Sequence, residues 1–154
     1  VPKYELPEKM FGVFPYNVIG GSDGLLRGFN DEIAVPVSRY TEVRREDLPD
    51  VPGLSVLLDS DEAGLCLIRD EARRHIYMFN HLEYDSTTLA DEFHRDVAAG
   101  MEIKLPANYF PQDDPARPPV NKWRAHANVL ISNWVNVLYQ STSFELEGIP
   151  APRR

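Results

Sequence analysis

The most informative pairing of reactive side chains in this sequence is His81-x-Glu83, which follows the apolar run HIYMFN at 75–80. In an extended segment residues i and i+2 point the same way. Glu83 is then placed to hold one imidazole tautomer and to stabilise the imidazolium, which is how a histidine becomes a general base. The same pattern also fits a surface histidine beside a strand end, so a nucleophile must be found before it means catalysis. Cys66 is the one thiol in the chain. Between Leu65 and Leu67 it reads as a small hydrophobe, with no strand-to-helix elbow or helix N-terminus nearby to depress its pKa. The other histidines are weaker candidates. His75 follows Arg73-Arg74, His94 stands between Phe93 and Arg95, and His126 lies one turn after Trp123. No two of them have zinc-ligand spacing, so no metal site is expected. Gly20-Gly21-x-x-Gly24 lacks the Lys-Ser/Thr of a phosphate loop, and its Asp23 would repel phosphate. Arg95 falls roughly 200° from the centre of its helix's apolar stripe, at ~100° per residue. Its ordinary role there is a solvated guanidinium paired with Asp91 at i−4.

The elements that must position these residues follow from periodicity. Residues 1–10 are polar and proline-bearing and read as a connecting segment. FGVFPYNVI (11–19) reads as a strand, with Pro15 at an edge or bulge. Gly20–Gly24 is a turn. Ile33, Val35 and Val37 alternate with Ala34, Pro36 and Ser38 as a second strand ending near Ser38. Residues 44–52 are polar, with room for one helical turn. Ser55–Asp59 and Leu65–Arg69 flank a polar, glycine-ended turn and predict a hairpin. His75–Asn80 reads as a buried strand. A helix is predicted from a cap at Ser86 or Asp85 to Gly100, with Leu89, Phe93 and Val97 as its stripe. Residues 102–122 form a long proline-rich loop. The last helix carries Trp123, Ala127, Leu130, Trp134 and Leu138, widened by Ile131 and Val135. The tail from Ser141 is polar and ends in Pro150, Pro152 and two arginines.

With 154 residues, 16 Lys+Arg and 24 Asp+Glu, the chain has a net charge of −8, and its composition suits one globular domain. The acidic balance argues against a general nucleic-acid binder. No apolar run reaches the ~20 residues of a membrane span, and VPKYELPEKM has no apolar signal core. One cysteine excludes an internal disulfide, so a reducing cytoplasmic setting is the default. Val1-Pro2-Lys3-Tyr4 reads as mid-protein loop, which suggests a piece of a larger protein. Mixed strands and helices suggest an α/β fold with an added antiparallel hairpin.

In this sequence Glu8-Lys9, Gly12-Val13, Arg27-Gly28-Phe29-Asn30-Asp31 and Ser38-Arg39-Tyr40 are followed by His81-x-Glu83-Tyr84-Asp85 and Thr88-Leu89. Then come Glu92-Phe93-x-Arg95-Asp96-Val97, Asn108-Tyr109-Phe110-Pro111, Asp114-Pro115, Trp123-Arg124-x-His126-x-Asn128 and Asn133-Trp134. In these stretches, in this order, the chain resembles the C-terminal half of bacterial homoserine O-acyltransferases of the homoserine O-succinyltransferase type. The resemblance implies that residues 1–154 are the C-terminal part of one catalytic domain. That domain is a flavodoxin-like, class I glutamine amidotransferase-like three-layer sandwich with an antiparallel hairpin. It implies a Cys–His–Glu mechanism in which His81 is the base and Glu83 orients it. It also implies that Lys9, Ser38 and Arg95 contact substrate. For Arg95 the implied role is a two-pronged grip on an amino-acid carboxylate. Read alone, Lys9 also fits a solvated lysine and Ser38 a strand-end serine bonded to backbone.

The family nucleophile precedes the stretch resembled here, and Cys66 does not align with it. Leu82 and Asn80 stand where many relatives have proline and glycine. The implied reaction is ping-pong transfer of a succinyl or acetyl group from acyl-CoA to the hydroxyl of L-homoserine, in methionine synthesis. Acyl-CoA is a co-substrate, and no cofactor is implied. The implied partners are the N-terminal half of the enzyme and a second copy in a homodimer. Two alternatives remain at this stage: a glutamine amidotransferase-like cysteine hydrolase, and a non-catalytic binding lobe.

Overall fold

The computed structural model describes residues 1–148; the prolines and arginines of the extreme tail lie outside the described residues. Five strands, β1 (Tyr4–Val18), β2 (Glu32–Glu42), β3 (Leu54–Ser60), β4 (Gly64–Asp70) and β5 (His75–Met78), form one sheet in the order β2-β1-β3-β4-β5. Each neighbouring pair is antiparallel, so the pairing extends well beyond the expected β3–β4 hairpin. Two helices follow, α1 (Thr88–Ala98) and α2 (Arg124–Ser141). No helix among the described residues is long and apolar enough to cross a membrane.

β1 begins at Tyr4, so the stretch expected to be a connecting segment is strand. Its polar side chains hide it from an apolar pattern, because here β1 lies at the rim of the sheet, pairing Tyr4 with Glu42 before a break in register ahead of Met10. Further along, Phe11 faces Ser38, Val13 faces Pro36 and Pro15 faces Ala34. The Val13 N–H points away from β2, to the Ala107 carbonyl at 2.8 Å. Pro15, two residues on, has its nitrogen on that same outer side, where a missing N–H costs the β1–β2 ladder nothing. Pro36 in β2 obeys the same rule, and its carbonyl is left free to accept a bond from outside the sheet.

The 102–122 segment is more than a surface loop. Pro106, Tyr109 and Phe110 are buried, and Ala107 makes a parallel bridge to Gly12. Gly12 has φ +149°, and a Cβ built on it meets Ala107 backbone atoms at 2.4–2.9 Å. Only glycine allows the two backbones to come this close.

Four expectations need correction. β5 is an edge strand with alternating exposed and half-buried residues, with β4 its only sheet partner among the described residues. The α1 cap is neither Ser86 nor Asp85 but Thr87, which makes no side-chain cap bond. The Tyr109 hydroxyl does that work instead, accepting the Ala90 N–H at 3.2 Å and donating to the Ser86 carbonyl. The buried face of α1 carries Leu89, Ala90 and Asp96, while Val97 is half exposed, so the helix is rotated to turn acids inward. In α2, Leu130 and Asn133 are buried, but Ile131, Trp134, Val135 and Leu138 are 41–56% exposed. The Asn133 amide donates to the carbonyls of Leu25 (2.9 Å) and Arg27 (2.8 Å) and so sets which face turns inward. At the other end, the predicted Gly100 (φ +73°) closes α1. Met101 N–H bonds the Asp96 carbonyl and Gly100 N–H the Val97 carbonyl, a Schellman motif.

Gly12→Ala is expected to cost about 2–4 kcal/mol through strain and backbone clash, whereas Gly21→Ala, with nothing within 4 Å of the new methyl, stays near neutral. Urea unfolding of both variants checks this, and equal midpoints would show that the Ala107 approach is not as tight as described.

Candidate active site

β5 ends at Met78, and the chain then turns sharply. Asn80 is buried, its amide donating to the Tyr16 hydroxyl at 2.7 Å. The His81 N–H bonds the outward Pro36 carbonyl of β2 at 3.0 Å, and the Tyr84 N–H closes a turn on the His81 carbonyl. Leu82 is buried in the core. With Leu82 pinned inward, His81 and Glu83 are left outside, and His81 Nδ1 lies 2.8 Å from Glu83 Oε1. The pair expected from an extended strand end is therefore formed by a turn. Both members are accessible: the side chains are 33% and 68% exposed. Glu83 borders an open groove of about 630 Å³ between β5 and α2, together with Met78, Leu82, Leu130 and Trp134.

Pro36 also leads along β2 to the other candidate residues. Ser38, two positions along β2, shares its face, and Phe11 opposite Ser38 brings in Lys9, two residues earlier in β1. Lys9 Nζ, on a side chain only 8% exposed, lies 2.7 Å from Glu92 Oε1 and 3.3 Å from Asp96 Oδ2. It also sits 4.2 Å from the centroid of the Phe11 ring. The Ser38 hydroxyl donates to Glu92 Oε1 at 2.9 Å. Arg95 does not pair with Asp91. It donates to Asp96 from Nε (2.9 Å) and from its terminal nitrogen (2.6 Å), with Glu92 at 3.7 Å. Its side chain remains 68% exposed. The three residues Lys9, Ser38 and Arg95 thus meet around two carboxylates that the sequence reading left without a role. Their signal was present: acids at i and i+4 share one helix face.

The cluster holds two cations, Lys9 and Arg95, and two anions, Glu92 and Asp96, so its formal charges cancel. Burying Lys9, Glu92 and Asp96 is tolerable only because each is paired. The Arg95 guanidinium, and behind it the Lys9 ammonium, hold the Asp96 carboxyl below the ordinary carboxylate range.

Cys66 lies far from this chemistry in character. It is 0% exposed, and burial pushes its thiol up to about 12. His126 is half-buried against Phe29, and burial lowers its pKa. His75 bonds the neighbouring Tyr77 hydroxyl on the exposed edge strand.

A family model described as homoserine O-succinyltransferase matches residues 1–144. A homoserine O-acetyltransferase of Rhizobium rhizogenes is 54% identical over 153 residues, covering 99% of this chain and 50% of that protein. One from Brucella canis is 53% identical over 147 residues, covering 96% of this chain and 48% of the relative. The chain spans about half the length of the curated relatives it matches. Among solved structures, a glutamine amidotransferase from Thermotoga maritima superposes with TM-score 0.57 at 14% identity, over 90% of this chain and 54% of that one. Another, from Methylobacillus flagellatus, gives 0.55 at 18%, over 88% and 55%. These two share the fold.

Asp96 also carries a pH prediction. Because its folded pKa is depressed, the unfolded chain takes up more protons as pH falls, so the stabilisation is present at neutral pH and lost on acidification through the folded value. Asp96→Asn should flatten the acid limb of stability below about pH 5, where an ordinary carboxyl begins to take up its proton. Urea midpoints across that range check it, and an unchanged acid slope would mean that Asp96 does not hold the depressed carboxyl.

Proposed function

We propose that this chain, which belongs to the homoserine O-succinyltransferase family, carries the base and the amino-acid pocket of an acyltransferase that moves an acetyl or succinyl group from acyl-CoA to the hydroxyl of L-homoserine. The observation that carries the reading is the 2.8 Å bond between His81 Nδ1 and Glu83 Oε1, on an accessible turn. With Nδ1–H donated to Glu83, Nε2 holds the lone pair that a base needs. His81 takes a proton from a cysteine thiol, the thiolate attacks the acyl-CoA carbonyl, and the CoA thiolate leaves with that proton. The homoserine hydroxyl then gives its proton to Nε2 and attacks the thioester, and the cysteine leaves as thiolate and takes that proton back from the imidazolium.

The thiol in this scheme is not Cys66, whose burial keeps it protonated. We assign the nucleophile to the part of the relatives that this chain does not match. The substrate is a zwitterion, and the cluster offers it both partners. Arg95, the exposed member, takes the α-carboxylate in a forked bond. Glu92 takes the α-ammonium, while Lys9 and Ser38 fix the Glu92 carboxylate. Acetyl-CoA is the first donor to test, since the relatives at 53–54% identity are named acetyltransferases.

The 154-residue chain alone is expected to transfer no acyl group from acetyl-CoA or succinyl-CoA; normal turnover by it would refute the externally supplied nucleophile. In the protein that includes the thiol, His81→Ala should lower kcat by about 10²–10⁴, with no glutamine hydrolysis by the unaltered protein. Glutaminase activity without acyl transfer would favour an amidotransferase instead. Arg95→Ala should raise the KM for homoserine about tenfold or more with a smaller change in kcat, as loss of ground-state binding does. An unchanged KM would remove Arg95 from the pocket.

A further inference from the structure

The Glu83 bond alone is a poor anchor for a catalytic ring. Glu83 is 68% exposed, and an exposed pair of this kind contributes little, because water competes for both groups and side-chain entropy opposes it. Yet a base must be held in one orientation to be efficient. A second support is present. The Tyr84 ring lies flat against the imidazole of His81, with centroids 4.2 Å apart and planes 11° from parallel. Tyr84 is itself fixed at both ends of its backbone. Its N–H bonds the His81 carbonyl, and its carbonyl accepts the Trp123 indole N–H at 2.8 Å. Trp123 is 0% exposed and is the residue from which α2 starts. Asn121 in turn ties that start down by accepting both the Trp123 and Arg124 N–H groups.

From this geometry we infer that Tyr84 is a positioning residue. It clamps the His81 imidazole by stacking, and it couples the base to the buried Trp123 at the start of α2. The inference rests on His81 being the base in the reading above. The stack works on both protonation states. The neutral ring gains dispersion and offset-stacking attraction, and the imidazolium formed in each transfer step gains the attraction of a cation for the phenol face. The aromatic face does this work, and the hydroxyl does not. Burial, followed by the charges of Glu92 and Glu83, pushes the phenol up, so it stays neutral where the base operates.

The test uses the chain together with the segment proposed to supply the thiol, carrying ¹³C-labelled histidine. The His81 ring signals are expected to be shifted upfield by the Tyr84 ring current. Tyr84→Phe should keep that shift and keep kcat within about twofold, since the face is retained. Tyr84→Leu should lose the shift and lower kcat about 10- to 100-fold, with the KM for homoserine changed much less. A wild-type His81 signal without the shift overturns the clamp, and so does a Leu variant with full kcat. So does a Phe variant as impaired as Leu, because the hydroxyl would then be the active group. Failure of the functional reading shows separately, as no acyl transfer by the unaltered protein, and the ring-current shift then decides the clamp by itself.

Discussion

Phe11 faces Ser38 across the β1–β2 ladder, and the strand side of the candidate site, Lys9, Ser38 and the outward Pro36 carbonyl, follows from that register. It puts Lys9 beside the end of β2 that carries Ser38. It also turns the Pro36 carbonyl outward, where it receives the His81 N–H. A slip of one residue would turn Ser38 and Pro36 to the opposite face, separating the histidine turn from the cluster. The close approach of Gly12 to Ala107 guards the same ladder from its other flank. The rim of the sheet is thus the scaffold of the site, with α1 laid across it.

Two kinds of electrostatics meet there. Lys9, Glu92 and Asp96 are mostly shielded from water, so their mutual attraction is screened weakly and their geometry is stiff. His81 and Glu83 stand in water, where the attraction is weak and the ring depends on its neighbours for orientation. The contrast suits a division of labour. Under the proposed function, the shielded cluster is the part that holds its shape for a charged ligand, and the accessible His81 is the base. Arg95 bridges the two regimes, with its guanidinium bonded to the buried Asp96 while most of the side chain is solvent-exposed.

A good part of this was legible in the residues. The β3–β4 hairpin, both helices, Gly100 as a C-terminal stop and the structural character of Cys66 all follow from local signals: alternation, 3.6-residue periodicity and turn chemistry. The meeting of His81 with Glu83 was legible as well, although by a turn and not a pleat. What misled was polarity. The first part of β1 looks like linker because its side chains are polar, and the stripes of α1 and α2 looked deeper than they are because periodicity shows an apolar face without showing what covers it.

The sequence by itself determined which groups can do chemistry: a histidine with a carboxylate two residues on, a thiol too apolar in its surroundings to react, and a helix bearing acids beside an arginine. Only the tertiary structure decided which of them meet. Glu92 and Asp96 became partners of Lys9 across 83 and 87 residues of chain, and Tyr84 became the face against which His81 rests. The reason is physical. Local spacing fixes the side on which a residue points, but the partner it finds there is set by strand register and by how the helices are rotated, and those depend on burying the whole core at once.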